Sequence, residues 1–203
     1  MKPLSFVMFQ LFCLLVLAGC GESKQLAHVP SQGIIVSFGD SLTYGTGVSE
    51  DSSYPSVLAK LSGRQVIRSG VPGETTDQGL RRLPAVLETY QPDLVILELG
   101  GNDILKRASK LTAKSNLAEM IRMIRKQGAQ ILLVGVPEFG LIPGTAEFYF
   151  ELEEELDVAA ENDVVAKLMK DSSKKSDPIH FNEEGYREMA EAIHTKLVNL
   201  GAL

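Results

Sequence analysis

Ile34-Ile35-Val36-Ser37-Phe38-Gly39-Asp40-Ser41 decides how the rest of the chain is read. The run from Ile34 to Phe38 is β-branched or apolar except at Ser37, and it stops at a glycine, as a buried strand does. Continuous apolar runs, unlike alternating ones, suit strands covered on both faces, and therefore a parallel sheet. Working outward, similar runs lie at Gln65 to Ser69, closed by Gly70, and at Leu94 to Leu99, closed by Gly100-Gly101. A fourth spans Ile131 to Val136 and ends at Pro137. Between them Leu80, Leu83, Leu87 and Tyr90 recur at helical spacing, as do Leu117, Ile121 and Ile124. Tyr186, Met189, Ala190, Ile193, Leu197 and Leu200 mark one apolar stripe near the end, and residues 147–156 also favour helix. Strand and helix in alternation predict an α/β fold with right-handed crossovers, a single domain of three α/β/α layers.

In such sheets ligands gather beyond the carboxyl ends of the strands. Gly39-Asp40-Ser41, Gly100-Gly101-Asn102 and Pro137 all fall there, so one face collects the candidate polar groups. A formal charge of −6 argues against a nucleic-acid partner, because phosphate binding needs a basic surface. No His/Asp/Glu cluster has the spacing of metal ligands, and no G-x-x-x-x-G-K-[ST] phosphate loop occurs, so neither metal nor cofactor is expected.

The N-terminus stands apart. Lys2 precedes an apolar run from Phe6 to Ala18, broken only by Gln10, which is the layout of a secretory signal and short for a membrane span. No later segment is apolar for long enough to cross a bilayer. The run ends in Leu17-Ala18-Gly19-Cys20, which resembles the lipobox of bacterial lipoproteins. The resemblance implies a signal peptide over 1–19 and lipidation of Cys20. It also implies a membrane partner held through that anchor, and, because Gly21 follows the cysteine, the outer membrane of the cell envelope facing the periplasm. An ordinary signal peptide with an incidental cysteine is the alternative. Residues 20–32, polar and containing Pro30, read as a tether to a domain over 33–203. Cys13 lies in the removed segment, so the mature domain has no thiol for a disulfide or a nucleophile.

A serine hydrolase needs a hydroxyl, a base, a group that orients the base, and donors aimed at the developing oxyanion. There are 3 histidines. His28 sits in the tether and His194 flanks the last apolar stripe, whereas His180 follows Asp177 by one turn in Asp177-Pro178-Ile179-His180. A carboxylate so placed can reach the imidazole and set its tautomer, although the same pattern also serves as a helix-capping loop. There is no G-x-S-x-G, so the α/β-hydrolase elbow is absent, and Ser172-Ser173-Lys174-Lys175 is an S-x-x-K without companion motifs.

Taken together, GDSLT at 39–43, the glycine loop at 70–73, GGND at 100–103 and DPIH at 177–180 resemble the SGNH (GDSL-type) hydrolases, nearest their arylesterase, thioesterase and lysophospholipase group. The resemblance implies a flavodoxin-like sheet of about five strands and an esterase acting on aryl or acyl esters, thioesters or lysophospholipids. It makes Ser41 the nucleophile, His180 the base and Asp177 its orienting acid. The oxyanion donors would be the Ser41 and Gly73 backbone N–H groups and the Asn102 amide. Gly70 competes with Gly73 for the loop role, and Asp40 and Asp103 are expected to hold their own loops through side-chain to backbone bonds. For the substrate wall, Ile104, Phe139 and Leu141 are candidates, while Phe148, Tyr149 and Phe150 fit either that wall or the buried stripe of a helix. A carbohydrate O-acetylesterase and an inactive binding lipoprotein are the competing functions.

Overall fold

The apolar runs become strands because helices cover them on both sides. The computed structural model describes residues 24–138 and 144–203. Strand β1 (Ile34–Gly39) leads through α1 (Ser41–Tyr44) and α2 (Tyr54–Ser62) to β2 (Gln65–Gly70). Next come α3 (Thr76–Tyr90), β3 (Leu94–Glu98), α4 (Gly101–Leu105), α5 (Lys110–Lys126) and β4 (Gln130–Val134). The remainder adds β5 (Pro137–Glu138), β6 (Gly144–Thr145), α6 (Glu147–Glu155), β7 (Ala159–Glu161), α7 (Val164–Lys170) and α8 (Glu183–Asn199).

Five strands form one parallel sheet in the order β2-β1-β3-β4-β7, the flavodoxin-like arrangement, with β5 and β6 paired apart as an antiparallel hairpin. Every residue of β3, the central strand, is buried. The chain leaves β1 toward one edge and later returns past it to β3, so right-handed crossovers place the connecting helices on opposite faces. Accordingly α2 packs on α8 and α3 on α5. The reversal between β1 and β3 opens a crevice beyond their carboxyl ends, which is where the sequence motifs fall.

Two differences from the sequence pattern have simple causes. The runs at 94–99 and 131–136 end as strands at Glu98 and Val134, because Gly100 turns the chain at φ 129° and β5 leaves the main sheet. The fifth strand is a short edge piece, Ala159-Ala160-Glu161, with no β-branched residue of its own. From Lys24 onward, the polar segment ahead of β1 lies against the body. Val29 is fully buried, Leu26 and Val29 donate backbone N–H groups to Leu200 and Ala202 at 2.8 Å, and the Gln130 side chain bonds both backbone groups of Ala27.

Candidate active site

Ser41 opens α1 immediately past the end of β1. Asp40 caps that short helix, its Oδ1 accepting the Leu42 N–H at 3.1 Å. The turn is tight because two glycines let backbones meet. A Cβ on Gly39 would fall 2.1 Å from the Glu98 carbonyl oxygen, and one on Gly70 would fall 2.2 Å from the Tyr44 nitrogen. Gly70 therefore serves close packing under the Ser41 turn. Gly73 has a separate role, as the left-handed residue (φ 80°) of a turn over Val71-Pro72-Gly73-Glu74, closed by Glu74 N–H to Val71 O at 3.1 Å. Proline second and glycine third is the composition a type II turn requires.

His180 and Asp177 arrive from the loop before α8, which is closed by Ser176 N–H donating to the His180 carbonyl at 2.9 Å. Asp177 Oδ1 accepts the N–H groups of Ile179 and His180, each at 2.8 Å, and Oδ2 lies 2.7 Å from His180 Nδ1. His180 Nε2 lies 2.9 Å from Ser41 Oγ. Hydrogen bonding assigns the proton to Nδ1, leaving Nε2 to accept from the serine hydroxyl. Burial pushes the Asp177 carboxyl upward, but the bonds from His180 and Ile179 prevail and hold it at about 2. The capping of α8 falls to Asn182, whose Oδ1 accepts the Gly185 N–H at 3.0 Å, so Asp177 is left to the histidine. The other histidines, His28 and His194, lie away from this loop, on the N-terminal segment and within α8.

Asn102, on α4, joins this constellation from the other side. Its Nδ2 donates to Asp40 Oδ2 at 2.9 Å and to the Glu74 carbonyl at 3.0 Å, tying the Ser41 turn to the Gly73 loop. Asp103 does more than hold its own loop. It reaches across to the start of α3, accepting from the Thr76 N–H and hydroxyl, both at 2.8 Å.

Arg82, which sequence reasoning passed over, braces the same loop from below. Its guanidinium donates to both Glu74 carboxylate oxygens (2.8 and 2.6 Å), to Ser69 Oγ (2.6 Å) and to the Gly39 carbonyl (3.4 Å), and it stacks over Phe38. Only a planar fork can satisfy three backbone segments at once. We expect Arg82→Lys to lower kcat by about 10–100-fold with little change in KM, because small displacements of catalytic donors are costly. Steady-state kinetics on a folded variant checks this, and equal loss in KM would point to substrate binding instead.

Two acids lie buried beneath Ser41. Glu98 Oε2 accepts from Thr43 Oγ1 at 2.9 Å, while its Oε1 has no partner among the described residues. Burial, and then the neighbouring Asp40, push Glu98 well above the usual carboxylate range. Burial also lifts Asp40 to about 6, against the pull of the Leu42 N–H. The native state thus holds the Asp40 proton more tightly than the unfolded chain, whose carboxyl titrates near 3.8. That contribution is complete below pH 4 and is lost as pH rises through 6. Asp40→Asn removes the group, so relative to wild type its stability should improve by at most about 3 kcal/mol between pH 4 and pH 7.5. Thermal melts across that range test it, and parallel curves for the two proteins would sink it.

Ser41 and Asn102 share a narrow cavity of about 30 Å³, walled by Leu42, Leu105, Val136, Pro137, Met169 and Ile179. Ile104 packs on the core, and the neighbouring Leu105 takes the wall position. Phe139, Leu141 and Cys20 lie outside the described residues. Phe148 and Tyr149 are the buried stripe of α6, with the Tyr149 hydroxyl donating to the Leu99 carbonyl at 2.8 Å.

A hydroxyl, an imidazole and a carboxylate bonded in series at the switch point of a parallel α/β sheet are the parts of a serine hydrolase. Residues 37–188 match the GDSL-like Lipase/Acylhydrolase family, and the chain belongs to it. Esterase TesA of Pseudomonas aeruginosa is 32% identical over 134 residues, 62% of this chain and 67% of that protein. An arylesterase of Vibrio mimicus is 36% identical over 147 residues, 68% of this chain and 67% of its own length. The crystal structure of AlinE4, an SGNH-hydrolase family esterase, superposes with a TM-score of 0.65 at 28% identity, covering 83% of this chain and 96% of that one. The protein is a serine esterase of this family.

Proposed function

We propose that Ser41 attacks the ester carbonyl while His180 Nε2 takes its proton, and that Asp177 holds the imidazole for the transfer. The bonded series Ser41–His180–Asp177, at 2.9 and 2.7 Å, carries this reading. The tetrahedral oxyanion is met by the Ser41 and Gly73 N–H groups and by Asn102. Because both Asn102 amide hydrogens already have acceptors, that contact forms by surrender of the Glu74 carbonyl. Collapse breaks the ester C–O bond, His180 returns the proton to the departing alcohol, and an acyl group remains on Ser41. Water, deprotonated by His180, attacks the acyl-enzyme; the carboxylic acid leaves and Ser41 regains its proton. The apolar wall beside Ser41, from Leu42, Leu105, Val136, Pro137, Met169 and Ile179, suits the acyl part of an ester. Aryl or acyl esters, thioesters and lysophospholipids are the substrate classes this reading covers.

Cys20, in the lipobox-like Leu17-Ala18-Gly19-Cys20, is read as the acylated N-terminus of an exported, outer-membrane enzyme facing the periplasm. The decisive test pairs a fluorophosphonate label with p-nitrophenyl esters from acetate to palmitate. The wild type should be labelled, Ser41→Ala should not, and the acyl length with the highest kcat/KM separates small-ester from lipid substrates. An optimum confined to acetate favours the carbohydrate O-acetylesterase reading. Absence of both labelling and turnover supports a binding lipoprotein.

A further inference from the structure

The segment from Lys24 to Pro30 meets the body at one pole. Leu26 and Val29 bond Leu200 and Ala202 beyond the end of α8, and Ala27 is held by Gln130, the first residue of β4. Lys24 Nζ donates to the carbonyls of Glu153 (2.7 Å), in the last turn of α6, and Val158 (3.1 Å), just ahead of β7. These are the entry ends of the strands. Ser41, Asn102 and Pro137 stand past the exit ends, so the length of β1, about 20 Å at ~3.3 Å per residue, separates the two sets.

The docking also shortens the leash. A free coil of residues 20–32 would wander by roughly 20 Å and let the body roll over at a surface. With Lys24 fixed, only Gly21, Glu22 and Ser23 lie between it and Cys20, a reach of at most about 14 Å. We infer that the catalytic mouth points away from the anchoring bilayer, and that the substrates are esters arriving from the aqueous side, not lipids of the membrane that holds the enzyme. This rests on the reading of Cys20 as lipidated.

The two ends of α5 offer the test, since Leu111 and Gln127 are exposed and about 24 Å apart along one helix. Leu111→Cys and Gln127→Cys, each in the full lipidated chain, are labelled with a donor fluorophore and reconstituted into vesicles carrying a head-group acceptor. Flotation with the vesicles is measured first. Energy transfer from position 127 should then exceed that from position 111 at least fivefold. In the same vesicles p-nitrophenyl butyrate should be hydrolysed within twofold of the rate in detergent, and a bilayer-embedded lysophospholipid at least 100-fold more slowly. Flotation with equal transfer, or stronger transfer from position 111, overturns the inference and leaves the anchor standing. Failure to float overturns the anchor and the inference with it.

Discussion

His180→Ala should lower kcat by between about 10⁴ and 10⁶, the range found when a member of a serine triad is removed. His180 Nε2 lies 2.9 Å from Ser41 Oγ, where the proposed mechanism has it take the serine proton, and neither His28 nor His194 is placed to do so. Folding should survive. The side chain keeps 18% of its surface exposed and its ring makes two hydrogen bonds, so loss of the ring should change stability by on the order of 1 kcal/mol. Asp177 still caps its own loop through the Ile179 and His180 N–H groups, which an alanine at 180 leaves in place. Turnover of p-nitrophenyl butyrate beside a thermal melt checks both halves. A variant retaining more than a hundredth of wild-type kcat, with an unchanged melt, would remove His180 from the mechanism.

The second large effect is at Asn102. Asn102→Ala deletes the proposed oxyanion donor, and loss of such a donor typically lowers turnover by ~10²–10³. It also frees Asp40 Oδ2 and the Glu74 carbonyl, so part of the loss comes from slackening of the Gly73 loop. Asn102→Asp separates the two contributions. It keeps the shape, but its carboxylate faces two acceptors, one of them the Asp40 carboxylate, so the loss should equal or exceed that in the alanine variant. Reactivity toward a fluorophosphonate should fall in parallel with kcat, because both pass through a tetrahedral, negatively charged state. Normal fluorophosphonate reactivity with depressed ester turnover would place Asn102 in substrate binding, outside the oxyanion site.

Much of this site was legible because its parts are local. Gly39-Asp40-Ser41 is a strand end followed by a capped turn, Pro72-Gly73 is turn chemistry, and Asp177 lies one turn from His180; each follows from spacing within a few residues. Glu98 left a faint trace as the single charge inside the run Leu94 to Leu99, which the strand pattern absorbed. Arg82 left none, because one of two adjacent arginines on an amphipathic helix looks like a solvated face until β1, β2 and the loop at Glu74 close around it.

The chain alone thus determined the alternation that makes a parallel α/β sheet, the order of the four motifs and the pairing of His180 with Asp177. These depend on periodicity and on contacts a few residues apart, which any folded form of the chain must express. Tertiary structure decided which helix and loop groups meet across 30 to 140 residues. It buried Glu98 with Asp40 beneath Ser41, put Leu105 and not Ile104 on the cavity wall, and set Arg82 under the Gly73 loop. It also laid the polar N-terminal segment on the pole opposite Ser41, because Val29 gains a fully buried site there that no pattern within residues 20–32 reveals.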